Sequence, residues 1–110
     1  MKSVFAELVN AVAQKCYENA KAKGFYDVDV GDAARIALMH SELSECLEGL
    51  RDGNPPDKHL PQFPGPVVEL ADVIIRAMDM AAKNQWQLGE AIVAKINYNA
   101  TREHKHGRKF

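Results

Sequence analysis

The chain has 110 residues, 26% of them charged, and its 14 Lys plus Arg against 15 Asp plus Glu leave a formal net charge of −1. That length allows one domain with a single core, spanning residues 1–110, and the near-neutral balance argues against a coat for nucleic acid polymers. The charge is uneven, because residues 95–110 sum to +4 and residues 1–94 to −5, so an acidic body carries a basic ending.

Phe5, Leu8, Val9, Val12, Cys16 and Ala20 recur every three or four residues and predict a first helix over about 3–23, with Ser3 as its N-cap and Gly24 as its stop. Met1-Lys2-Ser3 leads straight into this amphipathic segment, and no apolar run reaches membrane length. The expectation is a soluble, cytoplasmic protein without a membrane partner. Residues 25–32, Phe-Tyr-Asp-Val-Asp-Val-Gly-Asp, form a short aromatic and acidic linker in which Asp29 or Asp32 can cap the next helix.

The second helix is predicted over about 31–52. Ile36, Met39, Leu43, Cys46, Leu47 and Leu50 make its core stripe, and Leu38, Glu42 and Glu45 lie on the adjoining strip. Cys16 and Cys46 sit singly on apolar stripes, which reads as two buried thiols in a reducing compartment. All five prolines fall between Gly53 and Pro66, a stretch that cannot be helical and is too polar for a strand, so it is a long loop with Pro66 opening the third helix, 66–83. Residues 84–87 turn the chain into a fourth helix, about 88–104, followed by a basic tail, 105–110. No β pattern appears, and the fold class is all-α: four antiparallel helices in a bundle.

Two acidic pairs stand out on this frame. Glu42 and Glu45 on the second helix, and Glu69 and Asp72 on the third, are each spaced three apart and therefore share a helix face. A single such pair is usually a solvated face. The third helix weakens that explanation, because Leu70, Ala71, Val73, Ile74, Ile75, Ala77 and Met78 surround a single polar stripe of Glu69, Asp72, Arg76 and Asp79. A helix this apolar is central, and its stripe faces an interior site or a partner. Four carboxylates converging from two helices are hard ligands suited to Mg²⁺, with Mn²⁺ as a substitute. His40 reads as polar surface, since such sites prefer oxygen, and Arg76 with Asp79 can form a plain i, i+3 ion pair.

On the fourth helix the face begun by Leu88, Ala91 and Ile92 continues at the same angle as Lys95, Asn99 and Arg102, and Lys105, Arg108 and Lys109 follow. Snorkelling cations at a helix end and a disordered tail are the simpler account. Beside a carboxylate site, the same residues make an anion clamp. Carboxylates holding Mg²⁺ next to cations are the parts needed to cleave a phosphate ester or anhydride.

Glu42-x-x-Glu45, a 23-residue spacer, Glu69-x-x-Asp72, the Gly24-Phe25 turn, and Lys95-x-x-x-Asn99-x-x-Arg102 ahead of Lys105-His-Gly-x-Lys109-Phe110 together resemble the MazG-like all-α nucleoside triphosphate pyrophosphohydrolases. These are related to dimeric dUTPases, dCTP pyrophosphatases and phosphoribosyl-ATP pyrophosphohydrolase. The resemblance covers most of the chain, though the family often carries tryptophan where Tyr26 stands. It implies hydrolysis of a nucleoside triphosphate to monophosphate and pyrophosphate, with Glu42, Glu45, Glu69 and Asp72 as Mg²⁺ ligands. Glu45 would be the base, Lys95 and Asn99 would meet the phosphates or the metal shell, and Arg102, Lys105 and Lys109 would support them. Phe25 and Tyr26 would stack on the nucleobase, unless they simply pack. The resemblance and the apolar third helix together imply a homodimer or homotetramer. The contrasting readings are a non-catalytic metal-binding regulatory or interaction module, and a di-iron carboxylate bundle, which lacks the Glu-x-x-His motifs it would need.

Overall fold

A computed structural model describes residues 3–110 and shows an all-α chain of four helices with no strands among the described residues. The helices are α1, Val4–Ala22, α2, Gly31–Arg51, α3, Gly65–Lys83, and α4, Leu88–Ala100, with a short 3-10 turn over His104–Gly107. No described helix is long and apolar enough to cross a membrane.

Local chemistry sets most of the boundaries. The Ser3 hydroxyl accepts the Ala6 N–H at 3.2 Å, as an N-cap should. Gly24, at φ +89°, takes the left-handed turn that stops α1. Val30 holds the N-cap position of α2, and Asp29 supports it by accepting the Gly31 N–H at 3.0 Å, whereas Asp32 turns inward to Lys83 and Asn84. Helix α3 opens one residue ahead of Pro66, at Gly65. Helix α4 ends at Ala100 instead of running to residue 104, because the Thr101 hydroxyl donates to the Tyr98 carbonyl and Glu103 is extended. The proline loop is internally bonded: Asp57 accepts the N–H groups of His59 and Leu60, each at 2.9 Å, and the Gly65 N–H reaches the Pro55 carbonyl at 2.7 Å.

Helix α3 lies in the middle, packed on both α1 and α2, while α4 packs on α1. Arg76 meets Glu42, and Lys83 meets Asp32, so α2 and α3 run antiparallel. The tight turn after α3 returns the Trp86 N–H to the Ala81 carbonyl, and Gly89, three residues on, lies against the backbone of Ala6 where a Cβ would collide. The C-terminal end of α3 therefore sits beside the first half of α1. The linker after α1 folds back, bringing Tyr26 edge-on to Tyr17 with ring centres 5.0 Å apart. As a result α3 covers the second half of α1 and α4 covers the first, with Asn97 at the level of Ser3.

This arrangement is open. Its radius of gyration is 16.2 Å, against about 13 Å for a closely packed chain of this size. The buried apolar side chains are small, namely Ala6, Val9, Ala13, Cys46 and Ala81. The stripe predicted for the core of α2 is only half covered, with Leu43 45% and Leu47 49% exposed, and Leu70 and Ile74 on α3 are 48% and 55% exposed. Cys46 is buried as expected, but Cys16 is half-buried because it borders a cleft; both thiols are free.

Candidate metal and nucleotide site

The two acidic pairs meet where α2 crosses α3. Glu42, Glu69 and Asp72 are half-buried and each offers a carboxylate oxygen within 4.8 Å of the other two. Glu45, one turn beyond Glu42 and exposed, is close enough to bear on the protonation of Glu42 and Glu69. Three of the four expected ligands thus form the cluster and the fourth stands at its edge. Arg76 does not pair with Asp79: its Nε donates to Glu42 Oε1 at 3.1 Å, and its Nη2 lies 3.1 Å from the same oxygen in an ion pair.

Crowded acids must share protons. The hydrogen bond with Glu42, then burial, then Glu45 push the Glu69 carboxyl up to about 8. Burial also opposes charge on Glu42, but the bonds from Glu69 and Arg76 outweigh it and hold that carboxyl below its usual range. Asp72 is raised by burial and then by Glu42, with Asp57 of the proline loop adding to the repulsion. Glu69 Oε2 is shielded from water and has no hydrogen-bond partner. An enclosed carboxylate oxygen without a donor, beside two further carboxylates, fits a hard divalent cation. Glu42, Glu69 and Asp72 would hold it, with Glu45 in reach.

Glu42 and Asp72 also line a cleft of about 490 Å³ between α1, α2 and α3. Its far end holds Phe25, Tyr26, Arg35 and Asp79. Phe25 is 66% exposed and offers a free ring. Tyr26 is already engaged: the Arg35 guanidinium stacks on it 4.4 Å from its centre, Tyr17 packs edge-on, and its hydroxyl donates to Asp79 Oδ1 at 2.7 Å. Burial, followed by that Asp79 bond, raises the Tyr26 phenol well above its ordinary range.

The basic line of α4 lies elsewhere in the same chain. None of Lys95, Asn99, Arg102, Lys105 or Lys109 borders the cleft. Asn97 is level with Ser3, and the cleft is bordered by Cys16 to Lys23, so about 20 Å of α1 separates the two regions. Lys95 and Arg102 both lie over the Tyr98 ring, at 4.9 and 5.4 Å, and Asn99 Oδ1 is shielded without a partner. Lys105 takes a left-handed backbone in the 3-10 turn and donates to the Lys109 carbonyl at 3.2 Å.

Sequence reasoning left out Arg35 and Asp57 and placed Asp79 on the polar stripe of α3, with an ion pair to Arg76 as the plain alternative. The position of Arg35, two turns before Glu42 on the same helix, was a usable signal. Asp57 had none, because its place depends on how the proline loop folds back. Comparison with models of known families, with curated proteins and with solved structures finds no match.

Proposed function

We propose that this protein is a Mg²⁺-dependent nucleoside triphosphate pyrophosphohydrolase of the MazG-like all-α type, cleaving its substrate to monophosphate and pyrophosphate. The observation that carries this reading is the convergence of Glu42, Glu69 and Asp72 from two helices at one end of a nucleoside-sized cleft, with Glu69 Oε2 left unpartnered. A cation held there by Glu42, Glu69 and Asp72 would supply charge neutralisation at the phosphoanhydride and lower the pKa of a water. Glu45, exposed at the edge of the cluster, would take a proton from an attacking water. Arg76, held by Glu42, limits the negative charge that an incoming triphosphate meets.

The half-exposed leucines and isoleucines of α2 and α3 support assembly into a homodimer or a dimer of dimers. A partner chain would also bring its own Lys95, Asn99 and Arg102 to a cleft that the α4 cations of the same chain do not border. Light scattering at micromolar concentration should therefore give at least twice the 12.2 kDa of one chain; a mass of 12.2 kDa contradicts the assembly.

The distance between the α4 cations and the cleft is also what a non-catalytic metal-binding module would show, since such a module needs no phosphate clamp. Turnover separates the two readings. A pyrophosphate-release assay over the common ribo- and deoxyribonucleoside triphosphates, with Mg²⁺ and with EDTA, should show metal-dependent release for at least one of them. Metal binding without release from any nucleotide would establish the module instead.

A further inference from the structure

The cleft places hydrogen-bonding groups on both walls at matched distances from the acids. On α2, Arg35 precedes Glu42 by seven residues, and on the antiparallel α3, Asp79 follows Asp72 by seven. Each step is two helical turns, about 10 Å. One end of the cleft therefore faces a cation site, and the other presents a donor and an acceptor at the reach of a nucleoside between its 5′ phosphate and its base edge.

Both groups have capacity to spare. Arg35 is buried, at 8% exposure, and its Nη2 has no acceptor. Its Nη1 is only loosely held, 3.5 Å from Asp32 and 3.8 Å from Asp29, where charge-assisted bonds normally close to about 2.7–2.9 Å. Arg35 lines the cleft and stacks on Tyr26, so its unpartnered Nη2 is a donor beside any ligand seated there. Asp79 uses Oδ1 to accept from Tyr26 and has further lone pairs. Phe25 adds an exposed aromatic face beside them.

We infer that this end of the cleft selects nucleobases that carry a ring N–H next to a carbonyl, as uracil, thymine, guanine and hypoxanthine do. Arg35 donates to the carbonyl, Asp79 accepts from the ring N–H, and Phe25 packs on the base plane. Cytosine and adenine present a ring nitrogen that is an acceptor at the matching place, so it faces the Asp79 carboxylate with no proton between them. The selection rests on the nucleotide reading given above.

The test compares kcat/KM for dUTP, dTTP and dGTP with that for dCTP and dATP in wild type, Arg35→Lys and Asp79→Asn, after circular dichroism melts confirm folding. Wild type should favour the first group by about tenfold or more, the value of one well-made hydrogen bond. Arg35→Lys should flatten the preference. Asp79→Asn retains an oxygen for Tyr26 but gains a donor, so it should move the preference toward dCTP. Binding of dUMP against dCMP without metal, followed by NMR, decides the same question independently of turnover. A chain that hydrolyses nothing yet binds dUMP over dCMP, with the order reversed in Asp79→Asn, refutes the hydrolase and keeps the subsite. Equal or reversed discrimination in wild type, or variants that preserve it, overturns the subsite even if hydrolysis is robust.

Discussion

Glu69→Gln should lower Mg²⁺-dependent pyrophosphate release by on the order of a thousandfold, through the loss of several kcal/mol of metal-borne charge stabilisation, and should leave the metal-free fold no less stable. The two effects share a cause. Glu69 is pushed from an ordinary 4.5 up to about 8 by Glu42, burial and Glu45, so between those values the folded chain holds a proton that the unfolded chain has released. Stability then falls as pH rises through that window. Gln resembles the protonated acid, so wild type and variant should unfold at similar urea concentrations only below the ordinary value of 4.5, whereas the variant should already be the more stable at pH 6 and more so at pH 9. A divalent cation displaces the proton and should restore wild-type stability at high pH, with no comparable effect on Glu69→Gln. A variant that keeps full turnover makes Glu69 a structural acid; one that loses stability at pH 9 shows that its carboxylate is paired in the fold by something other than a cation.

Mixing two inactive variants should restore activity. Glu42→Gln disables the cation site, and Lys95→Ala removes the first cation of the α4 line; each alone should be deeply impaired, with Lys95→Ala losing about tenfold to a hundredfold in kcat/KM for one charge-assisted phosphate bond. Lys95 lies on the part of α4 that runs beside the first half of α1, whereas Glu42 borders a cleft beside its second half. If a partner's α4 completes each cleft, half of the dimers in an equilibrated equal mixture pair the two variants, and one of their two sites is intact. Recovery should then approach about a quarter of wild type by symmetry alone. Recovery confined to the level of the better single variant would show that Lys95 acts on its own chain or not at all.

Much of this was legible in the sequence because the signals were local. Helix starts followed from Ser3 and, to within one residue, from Pro66, and the central place of α3 followed from an apolar wheel broken only by Glu69, Asp72, Arg76 and Asp79. The spacing of the two acidic pairs sufficed to bring Glu42, Glu69 and Asp72 together, since i, i+3 pairs on crossing helices need only the crossing point to coincide. What was not legible depended on tertiary path. That α4 packs against the first half of α1 is decided by the turn after Lys83 and by the close approach of Gly89 to Ala6, neither of which is a periodic signal. The engagement of Tyr26 by Arg35, Tyr17 and Asp79 required the linker to fold back, so an aromatic pair that read alike in sequence separates into one committed ring and one free ring. The end of α4 at Ala100 was hidden because neither Gly nor Pro marks it.

The most direct test of the central claim is ³¹P NMR of a nucleoside triphosphate panel incubated with the protein and Mg²⁺. A MazG-like pyrophosphohydrolase cleaves between the α and β phosphates, so at least one substrate should lose all three triphosphate resonances together. Monophosphate and pyrophosphate should appear in equal amounts, and the reaction should stop with EDTA or with Glu69→Gln. Accumulation of nucleoside diphosphate and orthophosphate, or a panel that remains intact under conditions where the protein binds Mg²⁺, would contradict the account.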